Sequence, residues 1–191
     1  MQKYLEATEM IDYEDENIQA LAKKLTLNCV DDEAIAKNCF AWVRDNIEHS
    51  GDCRADITTY RASDVLKYGT GWCYAKSHLL AALLRANGIP AGFTYQRLSC
   101  SEYKPDIYCL HGLNYIYLKK YGWYRVDARG NKEGVDAQFN PPDEELAFAL
   151  GVHEFDLSEN LFKPLDVVVK RLQKYEGYAE MISHLPDIKE V

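Results

Sequence analysis

The sequence predicts an α+β fold, on two observations. Through the first 90 residues apolar side chains recur at helical spacing, whereas between residues 91 and 127 they alternate with a period of two. Helices gathered ahead of a sheet describe an α+β architecture. A third feature joins the two halves. Tyr68-Gly-Thr-Gly-Trp-Cys-Tyr-Ala-Lys76 passes two glycines, which open backbone conformations barred to other residues, and enters an Ala- and Leu-rich run that Gly88 and Pro90 terminate. The rest of the chain is organised around this stretch.

In order, residues 15–29 place Ile18, Leu21 and Leu25 on one helical face, with Asn28 as the stop. Asp31 is a cap for a second helix, with Asp32 and Glu33 favourable in its first turn and Ile35, Cys39, Trp42, Val43 and Asn46 along one face. Residues 48–62 read as a connecting loop, and Ser63 as the cap of a short helical turn over 64–68. The helix over 73–87 follows. Strands are expected over 91–98, 107–118 and 123–127, joined by a polar loop at 99–106 and a turn at 119–122. Beyond Ala128 the chain is turn-rich, with helical runs at 164–175, where Leu165, Val168, Val169 and Leu172 share a face, and at 178–185.

At 191 residues the chain fits one domain, 1–191, long enough to bury a core. Its 22 basic and 30 acidic residues give a net charge of −8 with no cationic run, which argues against nucleic acid or anionic membrane as partner and suits a neutral or cationic substrate. The first residues lack the apolar stretch of a signal peptide and no segment is apolar enough to span a bilayer, so a cytoplasmic location is expected. In that compartment the six cysteines, at 29, 39, 53, 73, 100 and 109, are expected as thiols. They show no Cys-x-x-Cys or zinc-module spacing, and no metal or cofactor is expected.

Cys73 opens the central helix, where unpaired N–H groups and the positive end of the macrodipole favour a thiolate. A thiolate nucleophile needs a base, and the base needs a group that fixes its tautomer. Of five histidines, His49 falls in the expected loop and His153 and His184 in late, weakly patterned segments. His78 is on the same helix as Cys73 but points elsewhere. His111 sits within the long strand beside Gly112, which leaves room for a close neighbour, and is the best base. Asp127, on the returning strand, is the best orienting acid. The backbone N–H of Cys73 is one oxyanion donor. A second donor is not readable, and the loop before Gly69 is where a side chain for it is sought. Trp72, Tyr68 and Tyr74 flank the nucleophile and are candidates for lining a cleft, with core packing as the competing role.

These pieces together resemble the transglutaminase-like superfamily of papain-fold cysteine enzymes. The likeness rests on Phe40-Ala-Trp-Val-Arg-Asp-Asn-Ile47, Ser63-Asp-Val-Leu66, Gly69-Thr-Gly-Trp-Cys-Tyr-Ala-Lys76, residues 79–90, His111 and Trp123-Tyr-Arg-Val-Asp127, in the family's order over roughly 34–130. It implies Cys73 as nucleophile, His111 as base and Asp127 as orienter, on a core whose cysteine helix packs against an antiparallel sheet. Gly112-Leu113 and Ala128-Arg129 depart from the family's usual residues after the histidine and the aspartate, without removing a catalytic atom. The calcium-binding loops of the large animal transglutaminases have no counterpart in this chain.

The reading that follows is a cysteine-dependent acyl-transfer enzyme acting on a protein or peptide. Hydrolysis of a peptide or side-chain amide, protease- or amidase-like, is preferred because the short chain announces no amine-acceptor site. The alternatives are a protein-glutamine transglutaminase, a peptide N-glycanase-like activity and, in another class, a catalytically silent binding module on the same fold. Strand arithmetic sets one condition. A two-residue turn at Lys120 and Tyr121 would pair Asp127 with Asn114, on the face opposite His111. Asp127 therefore serves His111 only if the hairpin loop has an odd count or the pairing carries one bulge, and a three-residue loop of 119–121 followed by Gly122 in left-handed conformation is expected.

Overall fold

A computed structural model describes residues 1–100 and 107–190. After a 3-10 turn at Gln2–Leu5 come α1 (Glu16–Leu25), α2 (Asp32–Asn46), β1 (Glu48–His49), α3 (Ser50–Cys53), α4 (Ala62–Tyr68) and β2 (Thr70–Gly71). The central helix α5 (Cys73–Ala86) leads into β3 (Ala91–Ser99), β4 (Tyr108–Leu118) and β5 (Gly122–Val126). The remainder holds β6 (Gln138–Asn140), β7 (Asp143–Glu145), β8 (Phe155–Asp156), α6 (Asp166–Lys174) and α7 (Gly177–Met181).

The helix starts follow side-chain chemistry. The Asp15 carboxylate accepts the N–H groups of Asn17 and Ile18 at 2.9 and 3.2 Å, and Asp31 accepts that of Ala34 at 2.8 Å. Ser63 does not cap α4, which begins one residue earlier with Arg61 at its cap position and no side-chain cap bond. Ser63 lies inside the helix, where its N–H is bound by Asp12 Oδ1 at 3.0 Å. A distant aspartate thus takes the role expected of the local serine.

Every residue of α5 from Cys73 to Arg85 is buried. The helix contacts α1, α2 and α4 on one side and β3 and β4 on the other, which explains why it is apolar nearly all round rather than striped. Its one cation near the far end, Arg85, is neutralised by geometry, donating from Nε and Nη2 to Ala91 O at 3.1 and 2.7 Å.

The main sheet is antiparallel in the order β5-β4-β3-β8, so β4 runs through its centre. In the β4–β5 hairpin Leu118 opposes Gly122 and Asn114 opposes Val126. The loop therefore holds three residues, 119–121, and Gly122 takes φ +78°. Continued one residue, this register sets Asp127 level with Leu113, in phase with His111.

Three features differ from the expectation. Residues 48–62 contain β1 and the single turn α3, and β1 pairs in parallel with β2, Glu48 opposite Thr70 and His49 opposite Gly71. The hairpin of β6 and β7 and the edge strand β8 were legible only as turn-rich sequence, because two- and three-residue strands carry no measurable period. Of the expected loop at 99–106, positions 101–106 lie outside the described residues.

Gly92 tests how the late chain is held. A Cβ there would stand 2.4 Å from Leu161 O and 2.8 Å from the Tyr4 ring, beside the exchange in which Phe93 and Leu161 share hydrogen bonds of 2.7 and 2.8 Å. Gly92→Ala is expected to lower stability by about 1–3 kcal/mol, measured from the urea midpoint. An unchanged midpoint would mean that Leu161 is not held against β3.

Candidate active site

Two glycines set the nucleophile's position. A Cβ on Gly71 would lie 3.2 Å from both the Ala75 Cβ and Thr59 Oγ1, so the strand β2 reaches α5 only because that atom is missing. On the opposite side a Cβ on Gly112 would lie 2.9 Å from Tyr74 Cδ1 and 3.3 Å from Tyr74 Cα. Through that gap the Gly112 N–H reaches Cys73 Sγ at 3.5 Å. Polar bonds fasten the same seam. Ser77 Oγ donates between Cys73 O at 2.8 Å and Gly112 O at 3.2 Å, Asn114 Nδ2 donates to Ser77 O at 2.9 Å and Gly92 O at 3.1 Å, and the Tyr74 hydroxyl donates to Leu110 O.

His111 and Asp127 meet as the register requires. His111 Nε2 and Asp127 Oδ2 are 2.7 Å apart, which leaves Nδ1 for the Cys73 side, where the Gly112 N–H already holds Sγ beside the strand. Cys73, His111 and Asp127 are 6%, 5% and 0% exposed. Asp127 Oδ2 also accepts the N–H of Ala147 at 3.0 Å, and Oδ1 accepts that of Arg129 at 3.1 Å. Phe148 closes the histidine edge-on, ring centroids 5.0 Å apart. Burial alone would discharge this ring. The negative charges of Asp127 and Cys73, with hydrogen bonds to both, outweigh it and raise the imidazole to about 10. Burial likewise opposes the Asp127 carboxylate, but the His111 charge and the bonds from His111, Ala147 and Arg129 hold it below its ordinary value.

Cys73 and His111 border a cavity of about 340 Å³, and Asp127 lies behind His111, away from it. Trp72 and Tyr74 line it too, whereas Tyr68 does not. Tyr68 is 47% exposed at the end of α4, with the Lys67 ammonium 4.9 Å from its ring centroid, and is no cleft residue. Sequence reasoning missed His49, Arg129, Phe148, Glu154 and Leu185, all of which line the cavity. Arg129 grips Asp52 with Nη1 and Nη2 at 2.7 and 2.9 Å. Glu154 is engaged at both oxygens, by Ser99 N–H and Gly151 N–H at 2.7 Å each. Leu185 arrives on a C-terminal segment whose Pro186 carbonyl accepts Leu110 N–H at 2.8 Å, and Tyr178 stacks on Trp72 with centroids 6.2 Å apart. Only Arg129, beside Asp127, carried a signal: its departure from the family's usual residue.

Lys76, one turn after Cys73, is buried outright. Its Nζ donates to the carbonyls of Arg44, at 3.3 Å, and Ile47, at the end of α2. Burial and then the Arg129 charge bring this amine down to about 7.

The expectation of thiols throughout is corrected at one pair. Cys100 and Cys109 form a disulfide. Leu98 opposes Cys109 across β3 and β4, so the strand pairing brings the two cysteine Cα atoms to 5.9 Å, within disulfide reach. Linear spacing does not reveal that pairing. Cys29, Cys39, Cys53 and Cys73 are free.

Residues 19–128 match the transglutaminase-like superfamily. Among solved structures, a candidate cysteine protease from Cytophaga hutchinsonii is 24% identical over 66% of this chain and 40% of its own, with a TM-score of 0.52. The periplasmic domain of TgpA from Pseudomonas aeruginosa is 19% identical over 65% of this chain and 45% of its own, with a TM-score of 0.49. The chain thus spans less than half the length of either structure, and the likeness is one of fold. No curated protein matches it.

The His111–Asp127 pair links stability to pH. A ring raised from 6.5 to about 10 contributes stability that is complete below 6.5 and declines as pH rises toward 10, while the lowered Asp127 contributes above 3.8 and is lost as pH falls. Asp127→Asn is expected to weaken that alkaline decline in the urea midpoint between pH ~7 and ~10 and to lower the His111 NMR titration, with only Cys73 left to oppose burial. Superimposable profiles for the wild type and the variant would rule out the ion pair.

Proposed function

Since the chain belongs to the transglutaminase-like superfamily, we propose that it is a cysteine-dependent acyl-transfer enzyme that hydrolyses a peptide or side-chain amide in a protein or peptide substrate. The observation that supports this reading is that Cys73 and His111 border one cavity while His111 Nε2 lies 2.7 Å from the buried Asp127 Oδ2. In this mechanism Cys73 thiolate attacks the amide carbon, and the developing oxyanion takes a hydrogen bond from Cys73 N–H, which has no intrahelical partner at the first position of α5. The tetrahedral species collapses as His111 Nδ1 protonates the departing amine, leaving a thioester on Cys73 and a neutral ring. Water then adds to the thioester carbonyl while His111 takes its proton, and collapse releases the carboxylic acid and the thiolate. Asp127 holds the ring's tautomer throughout and stabilises its charge.

Hydrolysis is preferred over transfer to an amine on one observation. Glu154 is the one carboxylate lining the cavity among the described residues, and backbone N–H groups occupy both its oxygens. Those amides compete with a cationic acceptor for the one carboxylate among the described lining residues.

The test is a panel of three acyl donors, an unmodified peptide, a glutaminyl peptide with a primary amine, and an N-glycopeptide, each given to the wild type and to Cys73→Ala. Cleavage of the peptide or its side-chain amide, abolished in the variant, is the expected result. Product only with the amine or only with the glycopeptide would replace hydrolysis by crosslinking or deglycosylation. A silent binding module would give no product and would leave Cys73 no more reactive to iodoacetamide at pH ~6 than Cys29 or Cys53. The enzyme reading expects preferential alkylation of Cys73, lost in His111→Ala.

A further inference from the structure

The Cys73 N–H is a single donor, and acyl transfer generally uses two donors converging on the oxyanion. β1 presents the second. His49 lies opposite Gly71 in the β1–β2 pair, two residues before the nucleophile. Its ring packs edge-on against Trp72, centroids 5.6 Å apart at 79°, and lines the cavity that Cys73 and His111 line. The His49 side chain is 9% exposed.

Geometry sets its tautomer. Nδ1 accepts the Gly51 N–H at 3.2 Å, so that nitrogen carries a lone pair, and the nearest acid, Asp52 Oδ2, is 3.9 Å away, beyond hydrogen bonding. The proton of the neutral ring therefore sits on Nε2. The Nδ1 edge faces Gly51 and Asp52, and His49 with Asp52, Asn131 and Lys132 borders a second hollow on that side. That leaves the Nε2 edge for the cleft. Burial, and then the Arg129 charge, hold the ring down at about 3, so it stays neutral beside the His111 imidazolium. The other indole or imidazole donor nearby, Trp72 Nε1, is buried without a partner among the described residues and is closed to a substrate atom.

We propose that His49 is a catalytic residue, the second oxyanion donor, whose Nε2–H hydrogen-bonds the carbonyl oxygen that Cys73 N–H also binds as the thiolate attacks. A neutral imidazole suits this task because it polarises the oxygen without adding a second cation next to His111. The inference rests on the acyl-transfer reading and adds a residue to it.

Two reactions of the same thiolate separate the roles. Alkylation of Cys73 by iodoacetamide passes through no oxyanion, whereas acylation by p-nitrophenyl acetate does. His49→Phe keeps an aromatic ring against Trp72 and removes the donor. It is expected to alkylate within about twofold of the wild-type rate while acylation falls about 10²–10³-fold, with His49→Gln, which restores an N–H, recovering much of the loss. His49→Leu takes the place of His49→Phe if that variant does not fold. Equal falls in both reactions, or no fall in acylation, would overturn the proposal and leave acyl transfer standing. A wild type that alkylates rapidly but is not acylated would overturn acyl transfer itself, and His49's role with it.

Discussion

The closeness of α5 to β4 at Gly112 is the constraint on which the site depends. A methyl group there would stand 3.3 Å from the Tyr74 backbone, so any side chain would push the helix from the strand and carry Cys73 away from His111. The absence of that atom lets the Gly112 amide reach sulfur. Ser77, Asn114 and Tyr74 then bond across the seam to backbone groups of β3, β4 and α5 itself, so the spacing is held by directional contacts as well as by packing. The two reactive groups are close because backbone is close to backbone.

Burying a carboxylate and an imidazole together is costly unless every lone pair and proton finds a partner. Asp127 meets that demand with His111 on one side and the amides of Arg129 and Ala147 on the other. Ala147, Phe148, Tyr178 and Leu185 all lie beyond the segment that matches the family. The segment that matches the family holds Cys73, His111 and Asp127 and part of the cavity wall, and the chain after residue 128 completes that wall with Phe148, Ala149 and Leu185.

The parts of this architecture that sequence reveals are those with a period or an arithmetic. The run over 73–87 is legible because a buried helix of Ala and Leu ended by glycine and proline reads the same locally and globally. The hairpin register is legible because opposed residue numbers in an antiparallel pair are linked, and a left-handed glycine after three loop residues sets their parity. The β1–β2 pair is not legible. Two residues give no alternation, and what brings His49 beside Gly71 is a 22-residue excursion that no local rule encodes. The same holds for Ser63, whose expected cap is displaced by Asp12, 51 residues earlier. The Cys100–Cys109 bond, too, is a product of strand pairing and not of spacing.

Lys76 shows how a reactive neighbour is kept harmless. An amine brought down to about 7 is about half unprotonated at neutral pH, and it stands one helical turn after Cys73. Residues three apart share a helix face, so an unrestrained side chain at this position would swing toward the acyl group. Its nitrogen is instead tied to the last carbonyls of α2 and is absent from the cavity wall. In the acyl transfer proposed above, the end of α2 thus keeps the Lys76 amine from competing with water for the acyl group.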